Sequence, residues 1–256
     1  MKNLVTIYLL SLFLFPSCEN KTTKRNNKGT AKTIAKVSKK PSNKTVTNPK
    51  LEKDLQEPAL FFPKTGKKAS DFLPKLDIYK IQYEAKGDLN KDGLSDKVIV
   101  LLHKDVKTTE RPMLILLQNA DKSYRLDKLS TLVMPIEYGE SDFKTYEKEE
   151  ISIQKGILKI QLYGIGPSGN LFSHFKYANK ELILTYIECY SGGAGSWKQL
   201  YYNLEKGELT EECTNTMQKE MLTKEKTFKL KKVKHKFENA SPEKIIGDAY
   251  EKIDGN

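Results

Sequence analysis

Between Asp88 and Asp96 the chain reads Asp-Leu-Asn-Lys-Asp-Gly-Leu-Ser-Asp, and in this stretch residue type and spacing suit metal chemistry. Asp88, Asn90 and Asp92 alternate, so their side-chain oxygens can point into one concavity. Gly93 permits a sharp turn, Leu94 offers a backbone carbonyl and Asp96 closes the ring. Hard oxygen donors in that number suit calcium, with magnesium or manganese as lesser fits. The plain alternative is a hairpin turn held by Asx hydrogen bonds without metal. A catalytic metal is disfavoured because no histidine or general base stands beside the loop to activate water.

Other chemistry is thin. His103, His174 and His235 stand apart without ligand spacing, and no G-x-S-x-G, H-E-x-x-H or Cys-His signature occurs. Ser168 or Ser191 could be paired with His174 only on paper. Glu149-Glu150 and Glu211-Glu212 are sequence neighbours, which on a strand point to opposite faces, so neither makes a carboxylate pair for hydrolysis. No catalytic residue is assigned. Ser191 to Ser196 (SGGAGS) and Gly164 to Gly169 (GIGPSG) are glycine-rich loops without a phosphate-binding ending. The first is flanked by Tyr186, Tyr190, Trp197, Tyr201 and Tyr202, rings able to stack on sugars or a protein partner. Alternation argues against all five sharing a face.

The elements that must position these residues read as strands. Tyr79, Ile81, Tyr83 and Ala85 are spaced for one face, and Lys97–Leu102 and Met113–Leu117 are short apolar runs of strand length. Turn residues at Lys155-Gly156, Ala178-Asn179-Lys180 and Glu205-Lys206-Gly207 separate paired segments, as in sequential antiparallel hairpins. In Phe228–Phe237 the apolar face shifts at Lys231-Lys232, where a β-bulge would restore register. A short helix is expected near Ser70–Leu73, ended by Pro74, and another at the C-terminus with Ser241 as N-cap and Pro242 in the first turn. The fold class expected is mainly β: an antiparallel hairpin meander forming a sandwich or a strongly curved sheet, with those two helices.

The loop is similar to the first nine positions of an EF-hand, but Ile99 stands where the bidentate Glu would be and the flanks read as strands. It resembles the calcium-binding β-hairpin loop of integrin-type FG-GAP repeats, D-x-[DN]-x-D-G-x-x-D. With the following apolar strand and Arg-Pro-Met-Leu-Ile-Leu-Leu (residues 111–117), the pattern also looks like a set of uncharacterised bacterial exported lipoproteins bearing one such loop. That resemblance implies a structural calcium held by Asp88, Asn90, Asp92, Leu94 and Asp96.

The N-terminus carries an address. Lys2 precedes the uncharged apolar run Leu4–Phe15, which has signal-peptide length and is too short to span a membrane. Phe15-Pro16-Ser17-Cys18 resembles a lipobox, which implies cleavage and acylation at Cys18; an ordinary secretion signal is the alternative. The formal charge of +11 is concentrated in residues 19–50, where ten Lys or Arg face Glu19 alone, so residues 51–256 are near neutral and no nucleic-acid partner is indicated. That segment is rich in Thr, Asn and Ser and cannot bury enough apolar surface to offset the entropy of ordering. The expected organisation is a signal peptide over 1–17, a lipidated Cys18 and basic tether over 18–68, and a β-rich domain over 69–256. With Cys18 acylated, Cys189 and Cys213 remain for one disulfide, two buried thiols being the alternative.

These readings describe a lipoprotein of the bacterial cell envelope, expected in the outer membrane: a binding or accessory module with a structural calcium. Its partners would be the membrane through Cys18 and an envelope glycan or protein. The alternatives are a hydrolase of an envelope polymer and an inhibitor or immunity protein.

Overall fold

The structure is a computed structural model that describes residues 61–139, 142–164, 169–193 and 195–254. The expected signal peptide, Cys18, nearly all of the tether and Ser168 lie outside the described residues. Among the described residues no helix is long and apolar enough to cross a membrane.

The fold is mainly β, in two antiparallel sheets, one of them strongly curled into a half-barrel. The five-stranded sheet has the order β1-β5-β4-β3-β2, from β1 (Thr65–Gly66), β2 (Tyr79–Gly87), β3 (Asp96–His103), β4 (Met113–Gln118) and β5 (Tyr124–Ser130). The seven-stranded sheet follows sequence order, β12-β11-β10-β9-β8-β7-β6. Its strands are β6 (Lys148–Gln154), β7 (Ile157–Tyr163), β8 (Asn170–Ala178), β9 (Glu181–Gly193), β10 (Ser196–Asn203), β11 (Glu208–Asn215) and β12 (Thr223–Lys229). The meander expected from the turn residues is therefore present. Lys155-Gly156 and Asn179-Lys180 both have positive φ at each position, the type I′ geometry whose twist matches that of the flanking strands.

One expectation about extent changes. Thr65 and Gly66 pair with Arg125 and Tyr124, and Phe62 is buried, so residues assigned to the tether belong to the folded unit. The short helix is a 3-10 turn over Ala69–Phe72; the Asp71 carboxylate accepts the Lys67 and Lys68 amides, which hold its pKa below the ordinary value. It stops at Leu73, whose extended backbone is what a following proline demands. The C-terminal helix α1 (Pro242–Asp254) starts after Ser241, whose hydroxyl accepts the Lys244 amide at 3.4 Å. Ile246, Ala249 and Ile253 give it a buried stripe in the main core, beside β8 and β9.

Among the described residues three bulges re-aim side chains, and none lies at Lys231-Lys232. Gln82 is the extra residue between Ile81, opposite Leu101, and Tyr83, opposite Val100. Tyr79 and Ile81 therefore face away from Tyr83 and Ala85, against the single face expected from spacing. Asp127 is extra in β5 and Thr185 in β9. The apolar shift after Phe228 has another cause: β12 ends at Lys229, and the chain crosses to bridge Lys236 with Ile183, where β9 overhangs β10.

Candidate functional site

The loop joining β2 to β3 is folded around its own side-chain oxygens. Asp88 accepts the Asp92 amide through Oδ1 (3.1 Å) and the Gly93 amide through Oδ2 (3.0 Å). Asn90 Oδ1 accepts the Asp92 amide at 3.0 Å, and Asp92 Oδ1 accepts the Leu94 amide at 2.8 Å. Asp96 sits elsewhere: it is fully buried, Oδ2 takes the Leu89 and Asn90 amides, and Oδ1 takes the Gln118 amide of β4. Burial pushes its carboxyl above the ordinary value, against the pull of those amides. Asp96 thus staples the loop to the sheet. Among the described residues no three His, Cys, Asp or Glu side chains converge as a metal group. The donor set still fits a hard cation in part, because each carboxylate or amide oxygen that accepts one N–H keeps a second lone pair. Asp88, Asn90, Asp92 and the Leu94 carbonyl are the groups that would hold it, with Asp96 behind them.

A second polar cluster was invisible in the sequence. Arg111, just before β4, is fully buried and forks onto Glu149 of β6 at 2.7 and 2.8 Å. Its Nε donates to the Pro135 carbonyl at 2.7 Å, and Nη1 also reaches Gln82 Oε1, the bulged residue of β2, at 3.2 Å. Tyr83 borders the cluster, its pKa raised to about 12 by burial and then by Glu149. This bidentate pair fastens the two sheets and the β5–β6 connection. With neither charge open to solvent it is a structural tie. Nothing in the sequence marked it, because Arg111 follows Lys107, Thr108, Thr109 and Glu110 and reads as one more polar residue of the loop before β4. Period-two logic correctly separated Glu149 from Glu150, which is exposed and pairs with Lys148.

The third region is the outer face of the seven-stranded sheet. Strand register sets Tyr186, Glu188 and Tyr190 of β9 opposite Asn203, Tyr201 and Gln199 of β10, so these side chains share a face with Trp197. Tyr202 alone of the five flanking aromatics turns into the core. Tyr163 and Phe172 meet edge-on at 5.1 Å, and His174 stacks on Tyr186 at 5.1 Å. Burial, then Lys159 and Lys176, lower the His174 pKa and keep the imidazole neutral at pH 7. Glu188 accepts the Tyr186 hydroxyl (3.1 Å) and the Gln199 amide (2.9 Å), while Tyr201 donates to Glu212 at 3.4 Å. The result is a half-exposed platform of rings and held polar groups, with Trp197 46 % exposed.

The remaining sequence candidates are dispersed. Ser191 lies opposite Lys198, in register with the inward face, so it does not meet His174. His103 Nδ1 accepts the Asp105 and Val106 amides in a turn, and the His235 carbonyl accepts the Leu184 amide.

The expected Cys189–Cys213 disulfide is corrected: Cys189 is a free thiol. Cys189 lies opposite Leu200 on β10 and Cys213 opposite Lys198, so β10 runs between them. Two strand spacings, about 9.5 Å, exceed the roughly 7 Å Cα separation that a disulfide tolerates. Sequence proximity in adjacent hairpins placed them two strands apart. Burial, then Glu243, raises the Cys189 pKa.

Comparison with protein-family models, curated proteins and solved structures gave no match.

Proposed function

We propose that this chain is a lipid-anchored binding module of the bacterial envelope, presenting the outer face of its seven-stranded sheet to an envelope glycan. The observation that carries the reading is the platform itself. Rings from β7 to β10 offer flat apolar faces for sugar C–H groups, and Glu188, Gln199 and Glu212 among them offer acceptors and a donor for hydroxyls. A half-exposed ring already tethered through its hydroxyl loses little further freedom on binding. The lipobox-like Cys18 and the basic segment after it supply the membrane attachment, its lysines contributing up to about 1 kcal/mol each beside anionic headgroups. Calcium at Asp88, Asn90, Asp92 and the Leu94 carbonyl would offset the charge of the loop and hold the β2–β3 hairpin.

The test uses the full chain in cells and in vitro. Cys18→Ser should move the protein out of the membrane fraction or leave an unprocessed precursor. Purified protein should sediment with peptidoglycan sacculi or be retarded in gels containing soluble envelope polysaccharide, and the pair Tyr186→Ala with Tyr201→Ala should lose that retention while keeping its circular dichroism. Equal retention by the folded double variant would refute the platform as the binding face.

A further inference from the structure

A cleft of about 280 Å³ opens beside the β2–β3 loop, between that loop, the β6–β7 turn and the end of β8. Lys91, Lys155 and Lys176, one from each element, line it together with Asn90 and Tyr177, and no carboxylate belongs to the lining. Lys176 reaches Glu205 at 3.2 Å, whereas Lys91 and Lys155 make no ion pair among the described residues. Lys91 is seated: a Cβ at Gly156 would lie 2.4 Å from its Cε, so the lysine stem runs across the bare backbone of the turn. Gly156 also has φ +76°, so the tightest hairpin position and the path of Lys91 both require glycine. Tyr177 is held by donating its hydroxyl to Asp127, the bulged residue of β5, and Leu89, nearly fully buried, supplies an apolar part of the lining.

Three lysines line one small cleft, and with Lys176 answered by Glu205 the charges of Lys91 and Lys155 are left for an anion to balance. A tyrosine ring and an apolar patch beside that charge suit the body of a sugar. We propose that this cleft binds a small anionic sugar through its carboxylate, sulfate or phosphate group, with Lys91 and Lys155 as the principal charge partners. The cleft lies at the end of β8, where Lys176 is two residues from His174 on the platform's face, and its test changes Lys91 and Lys155 while leaving Tyr186 and Tyr201 intact.

Calorimetric titration of the full chain with glucuronate, glucose 6-sulfate and glucose 6-phosphate, against glucose and inorganic sulfate, tests this. At least one of the three acids should bind saturably and more tightly than glucose or sulfate, and the pattern among them identifies the anionic group. The pair Lys91→Ala with Lys155→Ala should weaken that binding by about tenfold or more, since each change removes a charge-assisted hydrogen bond. Both proteins retain the lysines of residues 19–50, so that contribution cancels. Undiminished binding by the double variant, binding of glucose as tight as that of the acids, inorganic sulfate matching the sugar esters, or no saturable binding would each overturn the proposal.

Discussion

The two sheets are assembled from similar antiparallel hairpins, yet they treat their second face differently. In the five-stranded sheet Val98 and Val100 of β3 face the main core, while Ile99 and Leu101, pointing the other way, are equally buried. Phe62, Ala69 and Phe72, from the segment around β1, are buried as well. In the seven-stranded sheet burial alternates: Leu158, Ile160 and Leu162 of β7 are inside, and Ile157, Lys159, Gln161 and Tyr163 are half-exposed. A strand covered on both sides contributes stability and little else. A strand with an open face is free to carry recognition groups, and the aromatic platform lies on that face.

The comparison is broken most severely at the buried tie between the sheets. Glu149→Ala leaves the Arg111 guanidinium buried without its counter-charge, which should cost about 3–5 kcal/mol and lower the melting temperature by roughly ten degrees. Replacing both partners with apolar residues, Arg111→Met with Glu149→Leu, should recover much of that loss. Glu150→Ala, one residue away on the open face, should stay within about 0.5 kcal/mol. Thermal unfolding by circular dichroism measures all three, and comparable losses at Glu149 and Glu150 would contradict the assignment of faces.

The loop between β2 and β3 sharpens the comparison at the closed sheet. Calcium at a hundredfold excess over Kd should raise stability by about 2.7 kcal/mol, and Asp92→Ala should abolish the rise. Identical melting curves in millimolar calcium and in chelator, with no heat of binding, would leave the loop as an Asx-bonded turn.

A smaller effect belongs to the overhang of β9. Lys234 and Lys236 hydrogen-bond Glu181 and hold its pKa near 2, well below the ordinary 4.5. A depressed folded-state pKa means that this stabilisation is present above pH 4.5 and fades as the pH falls toward 2. Glu181→Gln should therefore be less stable than the wild type at neutral pH, and the two should converge in acid. An acid titration with a constant gap between the proteins would show that the charge is not the cause.

Much of the sheet was legible from one end of the chain to the other because hairpins are local. Alternation in Ile157–Tyr163 and Phe172–Tyr177 identified strands, and Lys155-Gly156 identified the turn, since both depend on near neighbours. The N-cap at Ser241 and the stop before Pro74 were local in the same way. The Asp88–Asp96 spacing marked the loop, but not that Asp96 would turn inward to serve Leu89, Asn90 and Gln118.

What tertiary structure alone decided are the meetings between distant segments. A single bulge at Gln82 reverses which face Tyr79 and Ile81 occupy, and no composition rule marks where an extra residue enters a ladder. Arg111 and Glu149 are 38 positions apart and find each other because two sheets close over them. Cys189 and Cys213 are much nearer in sequence but are held apart by β10. Tyr186, Tyr190, Trp197 and Tyr201 share a face because register brings neighbouring strands into phase, and Lys91, Lys155 and Lys176 reach one cleft from three elements. Periodicity along a strand is a property of the local backbone, whereas phase between strands is set by the packing that closes the core, so the elements could be read from the chain and their alignment could not.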